Sequence, residues 1–317
     1  PRASARPVPS GCRSPGAACQ AQQPRLSIEE DKVTAVHGIS DPNYVSRQYR
    51  DASNLNVRLR LHQEFSTNPQ GWHRWLFERI QFPRNCRVLE LGCGTGSLWA
   101  ENQDRLPEGA EMTLSDLSAG MAAQAQENLR SVRANVFFAG IDAQSIPFQK
   151  GTFDVVIASH MLYHVPDREK ALGEIARVLK PDGVFYASTV GLDHLKELKE
   201  LAARFDEDLL FWGRMAADSF HLGSGAQLSR FFAQVSVQRY PDSLVVTDAA
   251  LLTAYMLSGR MDLSAERQEE LGAFVASEMQ AHGGQLLITK DSGVFAASGS
   301  LCTRDKHPIR KVNHVHH

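Results

Sequence analysis

An acid at the end of an apolar run, followed at once by three alternating glycines, is the strongest chemical signal in the chain: Val88-Leu89-Glu90-Leu91-Gly92-Cys93-Gly94-Thr95-Gly96. Glycines at that spacing permit a tight turn and let the backbone approach a ligand with no Cβ in the way. The G-x-G-x-x-G of dinucleotide sites places its third glycine one residue later and lays a diphosphate on the helix start. Here the shorter spacing and Glu90 suit a ligand with a cationic amino-acid end better. Twenty residues after Gly96, a second apolar run ends in Leu114-Ser115-Asp116-Leu117-Ser118. Asp116 can accept two hydrogen bonds from ribose hydroxyls, and its charge would repel a 2′-phosphate. A third run ends in Ala139-Gly140-Ile141-Asp142-Ala143, where Asp142 can accept from an exocyclic adenine amine and Ala143 can donate from its backbone. Taken singly, either aspartate also fits a helix cap. Taken together at successive strand ends, they define an adenosine pocket.

A fourth run opens into Ser159-His160-Met161-Leu162-Tyr163-His164. His160 and His164 share one face if this segment is helical. A zinc site of that spacing needs a Glu beside the first His and a third ligand, and neither is present, so no metal is expected. His160, Tyr163 and His164 are the candidates for acceptor contact or catalysis, a histidine being able to serve as general base near neutral pH. The competing reading is a histidine packed at a helix start. Cys93, inside the glycine turn, is badly aimed for a nucleophile and reads as small filler. The aromatic faces of Tyr44, Tyr49 and Trp72 can cover a cationic cofactor, and His221 is a weaker acceptor contact.

These residues need strands to carry them. Apolar runs at 87–91, 111–114, 135–138, 153–158 and 183–188 alternate with amphipathic stretches at 97–105, 118–129 and 167–179. The last stretch is closed by Lys180-Pro181-Asp182-Gly183, a helix stop followed by a turn. Continuous Val/Ile/Leu strands with crossover helices mean a doubly wound parallel α/β sheet, whose ligands sit at the carboxyl ends of the strands. Two or three helices over 41–80, broken at Ser66-Thr67-Asn68-Pro69, precede it. After Thr189 come helices at 193–205, 227–232, 248–257 and 264–281, a strand at 235–240, and a closing hairpin over 284–298 turning at Asp291-Ser292-Gly293. The expected division is a disordered extension at 1–25, N-terminal helices at 26–85 acting as a lid, a cofactor-binding core at 86–190, a helical cap with the last strands at 191–300, and a disordered tail at 301–317. Both tails read as vector-derived or non-native sequence.

As an ordered set, Val88–Gly96, Ser115-Asp116-Leu117-Ser118 with Met121, Gly140-Ile141-Asp142-Ala143, Phe153-Asp154-Val155-Val156 and Leu179-Lys180-Pro181-Asp182-Gly183 resemble the motifs of class I S-adenosylmethionine-dependent methyltransferases. The resemblance is strongest to the small-molecule branch that includes the ubiquinone and menaquinone C-methyltransferases. It implies a Rossmann-like, seven-stranded, mostly parallel sheet with a reversed last strand. By the same resemblance, Glu90, Gly92, Gly94 and Gly96 hold the methionine end, Asp116 the ribose, and Asp142 with Ala143 the adenine. Leu117, Met121 and Ser159 complete the cofactor contacts. The implied reaction moves the S-methyl group of S-adenosylmethionine to an O, N or C nucleophile of a small molecule and releases S-adenosylhomocysteine. The quinone enzymes' N-terminal pattern is matched only loosely, by Phe65-Ser66 and Gly71-Trp72-His73-Arg74-Trp75. RNA or protein methylation and nicotinamide-dependent oxidoreduction are the alternatives.

Composition narrows these readings. The 317 residues carry 34 Lys and Arg against 36 Asp and Glu, a near-neutral balance. Eight of those bases and only one acid fall in residues 1–25 and 301–317, so the body between them holds 26 bases against 35 acids. An acidic body is a poor partner for nucleic acid or an anionic membrane, and favours a small-molecule acceptor. Five cysteines without a C-x-x-C pair read as free thiols of a reducing compartment. No apolar run is long enough to span a bilayer. A cytoplasmic monomer or homodimer is expected.

Overall fold

A computed structural model describes residue 40 and residues 53–132, 134–206, 219–258 and 263–301 of the chain. Two helices lead in, α1 (Ser53–Phe65) and α2 (Trp72–Phe77). The central alternation is β1 (Arg87–Leu91), α3 (Ser97–Ala100), β2 (Glu111–Asp116), α4 (Ala119–Asn128), β3 (Asn135–Gly140), β4 (Phe153–Ser159), α5 (Arg168–Val178) and β5 (Leu179–Val190). Then follow α6 (Lys196–Phe205), α7 (Gly225–Leu228), β6 (Phe232–Val246), α8 (Ala249–Leu257), α9 (Ala265–Ala281) and β7 (Leu286–Ser300). The strands form one seven-stranded sheet in the order β3-β2-β1-β4-β5-β7-β6. β1 to β5 pair in parallel, and β7 runs antiparallel to both β5 and β6. Strand order reverses between β1 and β4, and in such sheets the crevice at that point receives the ligand.

Period-two alternation buries both faces. Leu89, Leu91, Val156, Ala158, Phe185 and Ala187 pack on one side against α5. Val88, Val155, Ile157 and Tyr186 pack on the other with Leu98, Trp99, Ala125 and Leu129. The helices start where short polar side chains can bond their open N–H groups: Ser118 Oγ accepts from Met121, Asp167 from Lys170, Asp248 from Leu251 and Ser264 from Arg267. A third buried cluster joins Leu61 of α1, Leu198 of α6, Leu252 of α8 and Val275 of α9 to Leu244 and Ile288 on the outer halves of β6 and β7.

Several expectations are corrected. The closing hairpin does not exist, because Leu286–Ser300 is one strand of 15 residues whose partner β6 is equally long. Asp291 and Ser292 pair with Pro241 and Tyr240 inside that ladder. Gly293 is there for clearance, not for turning: a Cβ would lie 2.4 Å from the Gln238 carbonyl. The strand read at 235–240 runs on through Pro241 for the same reason. The segment from Lys180 to Gly183 does not separate helix from strand, since β5 begins at Leu179 and accommodates those residues as an irregularity opposite Phe153 and Val155. The helix expected over 97–105 is four residues and a separate 3₁₀ turn, and that over 227–232 is four residues beginning at Gly225. No described helix is long and apolar enough to cross a membrane.

Candidate active site

At the carboxyl ends of β1, β2 and β4 a cavity of about 480 Å³ opens, roofed by α1, α8 and the outer half of β7. The glycine turn forms its floor. Gly92, Gly94 and Gly96 all have positive φ, which only glycine adopts cheaply. Gly96 donates to the Cys93 carbonyl to close the turn, and Cys93 donates to Ser115, tying the turn to β2. A Cβ on Gly92 would sit 2.8 Å from Met161 Cβ, whereas one on Gly94 would meet only Leu55 Cδ2 at 3.4 Å. Gly92→Ala should therefore lower stability by about 1–3 kcal/mol, and its melting temperature should fall further than that of Gly94→Ala. Equal melting temperatures would show that Met161 moves aside freely.

Gly94 also faces β2. Its N–H donates to Asp116 Oδ2 at 3.0 Å, while Asp116 Oδ1 accepts from Ser118 at 2.8 Å. Each carboxylate oxygen retains lone-pair capacity, and burial pushes the Asp116 carboxyl up. Glu90 is 2 % exposed and accepts from Trp99 Nε1 at 2.6 Å. Burial raises its carboxyl to about 7, with the indole N–H pulling it down and Asp116 adding to the rise. Such a carboxyl calls for a cation beside it. A cationic amino group with vicinal hydroxyls meets both demands, so the residues present fit S-adenosylmethionine.

Most residues expected at the site are brought together: Glu90, Gly92, Gly94, Asp116, Leu117, Met121, Asp142, Ala143, Ser159, His160, Tyr163, His164 and Trp72 all line the cavity. Asp142, on its open side, is engaged by Gln144 N and Nε2 at 2.8 and 3.0 Å. Gly96 does not reach the cavity; it lies beneath the turn, where a Cβ would strike Leu129 at 2.9 Å. His221 is also outside the lining. Its N–H donates to Ser224 Oγ and its Nδ1 accepts from Gly223 N–H, each at 3.0 Å, so the ring closes a local turn. Tyr44 and Tyr49 lie outside the described residues. Cys93 lines the cavity, but burial beside Glu90 and Asp116 drives its thiol far up, leaving no thiolate at neutral pH.

The histidine pair is not helical. His160 has φ 51°, with its N–H donating to Ser188 O and Oγ, each at 3.1 Å, and the 3₁₀ turn begins only at Leu162. Its ring stands 5.0 Å from that of Trp72, which stacks on Trp75 and meets the edge of Tyr240. Burial takes the imidazole down to about 3. It is thus neutral at working pH but too weak a base to hold a proton, and suits hydrogen bonding to an acceptor better than general-base catalysis.

Sequence reasoning missed the far wall. Arg58 donates from Nε and Nη2 to Ser258 Oγ and O at 2.9 and 3.0 Å. His62 and His194 stand 6.0 Å apart, both held well below their usual value by burial. Lys290 reaches the cavity from β7. Two signals were present: Arg58 and His62 lie four apart within the leucine pattern of α1, and Lys290 interrupts an apolar strand. Among the described residues no group of three metal-ligating side chains occurs, and Cys86 and Cys93 are free thiols.

A 3-2-1-4-5-7-6 sheet with a reversed β7, a glycine turn after β1 and acids at three successive strand ends define a class I methyltransferase fold. The comparisons agree: residues 89–187 match the family model described as "Methyltransferase domain". The ubiquinone/menaquinone biosynthesis C-methyltransferase UbiE of Pectobacterium carotovorum subsp. carotovorum is 32 % identical over 182 residues, covering 54 % of this chain and 66 % of that protein. The malonyl-[acyl-carrier protein] O-methyltransferase of Geobacter sulfurreducens is 39 % identical over 114 residues, or 36 % of this chain and 42 % of that one. The chain thus spans less than two thirds of the length of these curated relatives. Among solved structures, the [4+2]-cyclase SpnF superimposes with a TM-score of 0.50 at 17 % identity, over 80 % of this chain and 95 % of its own. That likeness concerns fold alone, and the fold thus also serves a protein named for another reaction.

Proposed function

We propose that this chain methylates a small molecule, with S-adenosylmethionine as donor. The observation that carries the reading is the shared wall of Glu90, Asp116 and Asp142, at the tips of β1, β2 and β3, around a glycine turn whose Gly94 N–H is fixed by Asp116. Bound there, S-adenosylmethionine would supply an electrophilic methyl group whose carbon an O, N or C nucleophile could attack in line, with S-adenosylhomocysteine as the leaving group. Glu90 neutralises the ligand's amino group, Asp116 accepts from the ribose hydroxyls, and Asp142 with Ala143 reads the adenine. Trp72 offers its π-face to a cation, while neutral His160 orients the acceptor. The remaining contribution of the chain is to hold the partners in line and keep water out. The relatives that are named as C- and O-methyltransferases support the reaction class and leave the methylated atom open.

Isothermal calorimetry of the whole chain against S-adenosylhomocysteine and NAD tests this reading. Micromolar binding of the first and none of the second is the expected result. Binding of NAD alone would return the glycine turn to the oxidoreductases.

A further inference from the structure

The cavity is polarised. Its acids, Glu90, Asp116 and Asp142, sit on the β1–β3 side, which is the half assigned above to the cofactor. Across His160, at the tip of β4, the lining turns basic: Arg58, Lys290 and the neutral imidazoles of His62 and His194. Among the described residues, the one acid on this wall is Glu101, which is tied to His73 Nδ1 at 2.8 Å.

Lys290 is the informative member. It is 8 % exposed, and its Nζ lies 2.6 Å from Asp242 Oδ2. The two residues are directly opposite in the β6–β7 ladder, and the ammonium is the counter-charge of this fully buried carboxylate. That carboxylate already accepts from Ser66 Oγ at 2.8 Å, from Thr67 N and Asn68 N at 3.1 Å and from Ser243 N at 2.8 Å, tying the turn after α1 to β6. A buried ion pair adds little stability over apolar packing, because taking an ammonium out of water costs several kcal/mol. Stability alone thus does not account for a lysine that is paired with Asp242 and also lines the cavity. Its ammonium has three N–H donors, and Asp242 is the one carboxylate within 4 Å of it among the described residues. Ser292 and His194 line the cavity beside it, and the Tyr240 ring lies 5.1 Å from Nζ on β6.

We propose that the acceptor carries an anionic group, a carboxylate or a phosphate, seated against Lys290 on the wall opposite the cofactor. The inference rests on the methyltransferase reading for its assignment of the two halves. An anion there accepts from Lys290 N–H bonds that Asp242 does not take, an ammonium having three. The aromatic faces of Trp72 and Tyr255 enclose the rest of the molecule.

The test uses the whole chain saturated with S-adenosylhomocysteine and three para-substituted phenols: 4-hydroxybenzoate, its uncharged isostere 4-hydroxybenzamide, and the longer 4-hydroxyphenyl phosphate. Calorimetry should show at least one anion binding tenfold or more tighter than the amide, and the two anions tell carboxylate from phosphate. Lys290→Met should erase that preference, and Lys290→Arg should keep it. Should Lys290→Met fail to give a cooperative melt, Lys290→Gln, which still donates to Asp242, makes the same comparison. An amide that binds as well as both anions, or an anion preference that survives loss of the ammonium, overturns the inference. Failure of S-adenosylhomocysteine itself to bind would instead sink the methyltransferase reading, so the two failures are told apart.

Discussion

Asp116→Ala should lose S-adenosylhomocysteine binding by two to four powers of ten while the chain stays folded. The carboxylate is assigned two hydrogen bonds from the ribose, and bonds to a charged acceptor contribute about 1.5–3 kcal/mol each. Their joint loss is about 3–6 kcal/mol, which is that range of affinity. The fold survives because the donors released, Gly94 N on the cavity lining and Ser118 N on a partly exposed residue, can turn to water. Calorimetry gives the affinity, and a circular-dichroism melt reports the fold. An affinity within threefold of the parent would remove Asp116 from the ribose site, and with it the main support for the cofactor assignment.

Glu90→Gln should change how stability depends on pH. An unfolded glutamate ionises near 4.3, while in the folded chain Glu90 does so at about 7. As pH rises through that interval the unfolded chain releases its proton first, so folding loses stability, by about 4 kcal/mol in total once pH 7 is passed. The ligand-free parent should therefore melt progressively lower from pH 5 to pH 8. The glutamine variant should lack this component and be the more stable chain at pH 8, although it binds S-adenosylhomocysteine more weakly. A cation placed beside Glu90 draws its proton off, so binding near pH 6 should release a proton, detected as a binding enthalpy that varies with the buffer's ionisation enthalpy. Parallel pH–melting curves for the two chains would show that Glu90 does not titrate.

The β1–β3 side of the cavity was legible in the sequence because local rules write it: an apolar strand that runs straight into a turn that needs glycine, and an acid at the tip of the next strand. The same locality let the sequence place the starts of helical stretches at Ser118, Asp167, Asp248 and Ser264, where the structure has its helix caps. The acceptor half is made by contacts that no local pattern records. Arg58 meets Ser258 across 200 residues, and Lys290 enters because β7 outruns the parallel sheet. Asp291-Ser292-Gly293 has the composition of a turn, yet pairing along the whole of β6 outweighs local preference. His160 was singled out from its place after β4, but its backbone, turned to positive φ by its bonds to Ser188, follows from tertiary packing. Gly96 and His221 illustrate the reverse: turn residues near a site need not face it.

β6 and β7 close the sheet with their inner halves and cover the cavity with their outer ones. Alternation along a strand is strict, so Lys290 looks inward only while its pairing with Asp242 holds. A shift of one residue in that ladder would send the ammonium to solvent and present Thr289 or Asp291 instead. If the acceptor is held by Lys290 as proposed, strand parity decides what it meets. Relatives that carry a one-residue insertion or deletion in either outer half should differ in the molecule they accept, even where every residue of the cofactor half is identical.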